Sequence, residues 1–217
     1  MAVDIEKYNE ILQELNGKAT LVAVSKTKPA EELQALYDLG QRDFGENYVQ
    51  ELVDKQAILP KDIRWHFIGH LQSNKVKYIA PFVNLVHGVD SENLLTELNK
   101  QAIKNNRVID CLLQVYIATE ETKFGFDEAE LQNIQWSNYP NVHIKGLMGM
   151  ASFSNDKELI KNEFKQLKKL YDQLPGQGIQ PTILSMGMSG DFTMAIEEGS
   201  NMVRIGSLLF GERNYIK

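Results

Sequence analysis

The chain has 217 residues, enough for one domain with a sizeable buried core. Hydrophobic residues make up 43% of it and charged residues 24%, which is the composition of a folded globular protein and excludes a disordered chain. The net charge of -6 argues against nucleic acid or an anionic membrane surface as a partner, because both are bound by concentrated lysine and arginine.

The cysteine content and the N-terminal segment both favour a cytoplasmic protein. Cys111 is the only cysteine, so a disulfide within the chain is impossible. It lies in the apolar run IDCLLQVYI and is interpreted as a small buried hydrophobe rather than a nucleophile. The N-terminal sequence MAVDIEKYNEILQEL is acidic and amphipathic, unlike a signal peptide, and no segment has the apolar length of a membrane span.

Short apolar runs alternate with longer amphipathic stretches along the chain. A helix is predicted near 3–16, and strands are predicted at 20–26, 42–46, 64–69, 83–89, 109–117, 142–150, 182–188 and 202–210. Between the strands, PAEELQALYDLG reads as a helix that stops at Gly40, and SENLLTELNKQAIKN as a helix capped by Ser91. Ser73 is the predicted cap of a further helix, and NDKELIKNEFKQLKKLYDQL places its apolar residues on one helical face.

This alternation predicts parallel strands joined by crossover helices. Eight such units in about 200 residues fit a closed (β/α)8 TIM-type barrel better than an open sheet, with the helix near 3–16 as an N-terminal addition. We therefore expect one barrel domain over residues 1–217. Chemistry in such barrels lies at the C-terminal ends of the strands. The residues predicted there are Lys26, Glu46, Asn47, Gly69, His70, Asp90, Met150, Ser185, Met188, Ser189, Gly206 and Ser207.

Lys26 ends the first predicted strand, TLVAVSK. Strand alternation puts Val22, Val24 and Lys26 on one face, which we place toward the barrel centre. Confinement in a partly apolar mouth favours the neutral amine, the form that attacks an aldehyde. The alternative is a lysine that extends from a strand end to water. Lys28 precedes Pro29 and is placed in the following loop.

Two glycine- and serine-containing segments follow the last two predicted strands, SMGMSGD at 185–191 and VRIGSLLFG at 203–211. Glycines let the backbone approach a phosphate, which N–H groups and hydroxyls then bind at the start of a helix. Phosphate sites after the seventh and eighth strands recur in these barrels. Each segment alone is equally typical of an ordinary turn, and it is the pair that favours a phosphate site.

Other charged residues invite specific interpretations. Arg204 is predicted to point inward from the eighth strand, where it needs a ligand or an ion pair with Glu46 or Asp90. His66 and His70 are four residues apart across a strand end, a spacing that does not favour a shared metal ion. Lys123, in the polar segment TEETKFGF, is expected to be solvated.

Several long motifs together resemble the pyridoxal 5'-phosphate (PLP) homeostasis protein family, also called the YggS/PROSC family. They are AVSKTKP (23–29), FGENYVQE (44–51), WHFIGHLQSNK (65–75), GLMGMA (146–151), LSMGMSGDF (184–192) and VRIGSLLFG (203–211). Their order and length make the resemblance specific, and it covers the chain from about residue 4 to the end. The fold that it implies is the barrel domain of alanine racemase.

The resemblance also implies roles for individual residues. Lys26 would carry PLP as a covalent Schiff base, and Arg204 would face the pyridine nitrogen. Asn47 and His66 would line the ring side of the pocket. The phosphate would be held by Ser189, Gly206 and Ser207.

The function that the resemblance implies is a PLP binder without clear catalytic activity, a carrier or regulator of the intracellular cofactor pool. Alanine racemase has a further β domain that helps complete its partner's active site, and this sequence is expected to have no room for one. The alternatives are a PLP-dependent amino-acid racemase and a sugar-phosphate or nucleotide barrel enzyme that uses Lys26. Expected partners are PLP and PLP-dependent apo-enzymes, with the chain a monomer or weak dimer and no metal bound.

Overall fold

Eight parallel strands close into a barrel in which each strand pairs with its neighbour in sequence and β8 pairs with β1. The structure is a computed structural model that describes residues 3–119 and 124–211. The strands are β1 Thr20–Val24, β2 Asp43–Glu46, β3 Arg64–Phe67, β4 Leu85–Val89, β5 Ile109–Gln114, β6 Val142–Met148, β7 Ile183–Met188 and β8 Met202–Ile205. The predicted parallel barrel is therefore confirmed, including its additional N-terminal helix.

Helices surround the barrel. They are α1 Ile5–Leu15, α2 Ala30–Asp38, α3 Val49–Ile58, α4 Val76–Ile79, α5 Glu92–Lys104, α6 Glu128–Asn133, α7 Lys157–Gln173, α8 Phe192–Glu197 and α9 Ser207–Phe210. Short 3-10 turns lie at Ser73–Lys75, Trp136–Asn138 and Leu174–Gln177. Ser91 caps α5 as predicted, its hydroxyl accepting the Leu94 N–H. The prediction for Ser73 is wrong, because Ser73 begins a 3-10 turn and its hydroxyl accepts from the Asn93 amide instead.

The first and last predicted strands are too long. β1 ends at Val24, after which the chain turns and the Lys28 N–H donates to the Ser25 carbonyl. β8 ends at Ile205, and residues 207–210 form α9. Leu209 and Phe210 are buried. The apolar run extends past the end of β8 because this short helix is covered by the rest of the protein as well. Apolarity alone cannot separate a buried strand from a buried helical turn.

The core has two layers. One lies between the strands and the surrounding helices, and the other fills the barrel interior with Val22, Leu85, Leu112, Met148 and Met202. Cys111 is fully buried in the outer layer, where burial raises the pKa of its thiol, so the interpretation as a buried hydrophobe is confirmed. Within the described ranges, none of the helices combines the length and apolarity needed to cross a bilayer.

Candidate functional site

A cavity of about 480 Å³ opens at the C-terminal ends of β1, β7 and β8. Six of the seven predicted cofactor-binding residues line it, namely Lys26, Asn47, Ser189, Arg204, Gly206 and Ser207. Residues from the two ends of the sequence therefore meet at one place, as closure of the barrel between β1 and β8 requires. The remaining wall is mostly apolar and includes Val24, Ile68, Met150 and Met188.

The turn that carries Lys26 is fixed on both sides of that residue. Thr27 has a φ of 64°, a left-handed conformation that is uncommon for a β-branched residue. Its N–H donates to the Glu51 carboxylate at 2.6 Å. On the other side, the Lys55 ammonium donates to the Ser25 carbonyl at 2.8 Å. Lys26 is thus held at the cavity wall by bonds made to its two neighbours.

Lys55 belongs to a buried charge cluster beneath this turn. Its ammonium lies 2.7 Å from Glu46 Oε1 and 2.6 Å from Glu51 Oε1. The Ser25 hydroxyl donates to the same Glu46 oxygen at 2.6 Å. Burial raises the pKa of the Glu46 carboxyl, and the Lys55 ammonium opposes that rise. Glu46 is therefore the partner of Lys55, and the possible ion pair with Arg204 is not formed.

Arg204 is buried in β8 and makes its hydrogen bonds to neutral oxygens. It donates to Ser185 Oγ at 2.6 Å and to the Gly149 carbonyl at 3.0 Å. Burial lowers the pKa of its guanidinium to about 10, which leaves it a cation at neutral pH. Asp90, the other suggested partner, hydrogen-bonds His70 at 2.9 Å. An inward cation without a carboxylate bonded to it, within the described ranges, is suited to a ligand that accepts hydrogen bonds.

The loops after β7 and β8 touch each other through a hydrogen bond from the Gly206 N–H to Ser189 Oγ at 3.3 Å. A Cβ atom at Gly206 would lie 3.1 Å from the Val24 carbonyl oxygen, so only glycine allows this close approach without displacement. Ser207 begins the short helix α9 and lines the cavity beside Gly206. Hydroxyl and backbone N–H groups of the two loops therefore lie at one corner of the cavity, and groups of this kind are the ones with which proteins bind anions.

The short helix α9 is held in place by groups from distant parts of the chain. The Asp4 N–H donates to the Leu209 carbonyl at 3.0 Å, and the Lys28 ammonium donates to the Phe210 carbonyl at 2.6 Å. Lys28 lines the same cavity as Lys26, but its ammonium is bound to this helix end.

Asn47 follows β2 and shows an unsatisfied polar atom at the cavity. Its side-chain oxygen is buried and, within the described ranges, has no hydrogen-bond partner. A buried acceptor without a partner is costly unless a ligand or water supplies a donor. This observation fits a polar ligand at the predicted position.

The family description "Alanine racemase, N-terminal domain" matches residues 5–214. The pyridoxal phosphate homeostasis protein of Aquifex aeolicus is 44% identical to this chain over 201 residues, 91% of this chain and 88% of the relative. The Vibrio cholerae protein of that name is 39% identical over an alignment of 222 residues that includes 99% of this chain and 94% of the relative. The chain belongs to the pyridoxal phosphate homeostasis protein family.

Solved structures agree with this family membership. PipY from Synechococcus elongatus PCC7942, described as having PLP bound, has a TM-score of 0.88 and 36% identity over 95% of this chain and 99% of PipY. Alanine racemase from Clostridium difficile 630 has a TM-score of 0.81 but only 16% identity, over 97% of this chain and 57% of the racemase. The likeness to the racemase therefore concerns the barrel fold alone.

His66 is the predicted site residue that the structure does not bring to the cavity. It is buried in the barrel interior, with Nε2 3.0 Å from Asp43 Oδ1 and Nδ1 2.9 Å from His87 Nε2. Ile68, two residues further along the chain, lines the cavity in its place. Strand alternation in β3 correctly predicts that His66 points into the barrel. However, His66 lies two residues before Ile68, too deep in the barrel to reach the cavity.

Two further predictions concern a metal ion shared by His66 and His70, which was not expected, and a solvated Lys123. His70 hydrogen-bonds Asp90 and does not meet His66. Across the described residues, no three His, Cys, Asp or Glu side chains form a group that could hold a metal ion. Lys123 lies outside the described residues.

Sequence reasoning missed Lys55 and His87, two buried polar residues behind the cavity wall. A signal for Lys55 was present, since Glu51 and Lys55 are four residues apart on one helix face. His87 lies within the apolar run VNLVHGV, and its partner His66 is 21 residues away in sequence. Only the tertiary structure could pair those two residues.

Proposed function

We propose that this chain binds PLP as a Schiff base on Lys26 and serves in homeostasis of the cofactor as a cytoplasmic carrier or regulator without amino-acid turnover. The observation that carries this proposal is the meeting of Lys26, Arg204 and the glycine- and serine-containing loops after β7 and β8 in one cavity. The bound PLP in the PipY structure and the shared name of the curated relatives support it. The protein would function as one PLP-binding barrel domain over residues 1–217.

Arg204 accounts for the absence of amino-acid chemistry in this proposal. When bound, PLP supplies an electrophilic aldehyde and a pyridine ring that can accept electrons. The Arg204 cation donates hydrogen bonds and accepts none, so opposite the ring nitrogen it disfavours protonation there. An unprotonated ring is a poor electron sink, which suits a protein that stores or delivers the cofactor.

If the chain delivers PLP, its partners are the proteins that receive the cofactor. PLP-dependent apo-enzymes are the recipients that a carrier would serve, and the chain itself is proposed to be a monomer or weak dimer. Phe153, which is fully exposed, and Met188 lie at the cavity mouth, where a recipient would approach the cofactor.

Borohydride reduction tests the attachment to Lys26. Purified protein is expected to show a visible absorption band, and reduction should fix the cofactor to Lys26, as located by peptide mass spectrometry. Lys26→Ala should lose the covalent adduct. Lys28→Ala is the matched control, because Lys28 lines the same cavity but its ammonium is bound to the Phe210 carbonyl, and it should retain the adduct. A borohydride-stable adduct at one defined site in Lys26→Ala would contradict the assignment.

Affinity measurements with PLP and pyridoxal test whether the loops after β7 and β8 bind the phosphate. Pyridoxal, which lacks the phosphate, is expected to bind much more weakly than PLP because it cannot make charge-assisted bonds to the two loops. Ser189→Ala and Ser207→Ala should each weaken PLP retention by about 0.5–1.5 kcal/mol, the contribution of one neutral hydroxyl. Their thermal unfolding should match that of the unmodified protein. Equal affinities for pyridoxal and PLP would show that these loops do not bind a phosphate.

A further inference from the structure

A continuous chain of hydrogen bonds crosses the barrel interior and ends at Arg204. His66 Nε2 lies 3.0 Å from Asp43 Oδ1, and His66 Nδ1 lies 2.9 Å from His87 Nε2. His87 Nδ1 lies 3.3 Å from Ser185 Oγ, which accepts the Arg204 hydrogen bond at 2.6 Å. The five residues come from five different strands and are all buried. None of the four leading to Arg204 lines the cofactor cavity.

The chemistry of the two ends, together with a neutral His66, sets the direction of the bonds between them. Asp43 accepts hydrogen bonds from Arg64 and His66, and these bonds outweigh burial and hold the pKa of its carboxyl at about 2. Ionised Asp43 can only accept, so His66 Nε2 carries a proton. Because Arg64 already balances the charge of Asp43, a neutral His66 avoids a further buried cation, and its Nδ1 then accepts from His87 Nε2–H. His87 is left with an acceptor at Nδ1, which receives the Ser185 hydroxyl proton.

We propose that Ser185 and His87 are positioning residues for Arg204, oriented by this one-way chain of hydrogen bonds from Asp43. The inference rests on the proposed function, in which Arg204 meets the ring nitrogen of PLP. Because the Ser185 hydroxyl donates its hydrogen bond to His87, a lone pair of the Ser185 oxygen faces Arg204. The bonds to Ser185 and to the Gly149 carbonyl use two of the five guanidinium N–H groups, and the other three make no hydrogen bond to the described residues.

The surroundings of His87 favour this arrangement. His87 is completely buried, and burial, with the nearby Arg204 cation adding to its effect, lowers the pKa of its imidazole well below the usual value. Leu85, two residues earlier on β4, belongs to the apolar layer inside the barrel. A neutral His87 is thus the form that both its burial and the nearby Arg204 cation select.

The first test concerns the protein without PLP and does not depend on the proposed function. The chain has only four histidines, so nitrogen-15 NMR can assign each imidazole. His66 and His87 are both expected to be neutral at pH 7, with the proton on Nε2. A His87 proton on Nδ1, or a charged His66, would reverse the chain of bonds and overturn the proposal.

The second test compares two substitutions of similar size. His87→Leu removes both hydrogen bonds and is expected to weaken PLP retention by about tenfold, the effect of one buried polar group left without its partner. It should also make the visible band of bound PLP depend on pH near neutrality, because a displaced Arg204 no longer disfavours a ring proton. His87→Gln should restore both properties, since its amide oxygen can accept from Ser185 while its amide nitrogen donates to His66.

Controls separate positioning from general stability. His143→Gln, at an exposed histidine on β6, should leave retention and spectrum unchanged. If His87→Leu does not fold, Ser185→Ala is the second variant, and it should weaken PLP retention and produce the same pH-dependent band. A wild-type spectrum in His87→Leu or Ser185→Ala would overturn the proposal. If wild-type protein binds no PLP, the proposed function fails, and the NMR result alone decides whether the chain of bonds exists.

Discussion

Replacing Lys55 with methionine is expected to lower the free energy of unfolding by about 3–5 kcal/mol. Methionine keeps most of the volume of the lysine stem but leaves the fully buried Glu46 carboxylate without its cation. It also removes the bond that holds the Ser25 carbonyl beside Lys26. Urea denaturation measures the change. Lys168→Met is the matched control, because the exposed pair of Lys168 and Asp172 is worth about 0–1 kcal/mol.

The pH dependence of the same variant identifies the cause of its lost stability. Without Lys55, the folded-state pKa of Glu46 should rise further above its unfolded value, since burial already raises it. A folded state that binds the proton more tightly gains stability as the pH falls. The deficit of Lys55→Met should therefore shrink in acid, and Glu46→Gln in the same chain should recover much of it at pH 7. A loss no larger than that of Lys168→Met would show that the cluster contributes little.

Incubation with small amino acids in D2O is expected to give no catalytic exchange of the Cα hydrogen. Two-base racemisation needs a proton-transferring group on each face of the cofactor, and one such group contributes about 10²–10⁴-fold. Among the described residues that line the cavity, none is Asp, Glu, His, Tyr or Cys. Lys28 is there, but its ammonium is bound to the Phe210 carbonyl.

NMR of L- and D-alanine and serine would detect this exchange. Alanine racemase from Clostridium difficile serves as the positive control under the same conditions. Exchange that is undetectable or stoichiometric with protein agrees with a carrier. Turnover near one per second, the low end of ordinary enzymes, would establish a PLP enzyme instead.

Most strands were predictable because they are short apolar runs between helical patterns. The exception is β2, Asp43–Glu46, which has two acidic residues and is predicted only from the regular spacing of its neighbours. The ends of the strands were not predictable. At Val24 the chain leaves the sheet because Thr27 adopts a left-handed conformation fixed by Glu51, a residue of another element. At Ile205 the apolar run continues because α9 is buried. Neither cause is visible in local residue patterns.

The cavity residues were predictable for a different reason. Barrel topology puts strand ends together, and the family motifs mark which of those ends carry chemistry. Depth inside the barrel is harder to predict, because it depends on how far neighbouring strands are staggered. His66 shows this limit, since it points to the correct side of β3 but pairs with Asp43 below the cavity. Lys55 shows another, because a helix residue finds its strand partner Glu46 only in three dimensions.

The bonds that hold α9 have a consequence for how quickly PLP could come and go. Asp4, Lys28 and the carbonyls of Leu209 and Phe210 are all protein groups, so these bonds require no ligand. The closed sheet likewise has no strand edge that cofactor loss would uncover. Residence time would then be governed by cleavage of the link to Lys26 and departure of the phosphate, rather than by refolding. If the chain holds PLP as proposed, release and reloading of the cofactor would leave the barrel and α9 folded.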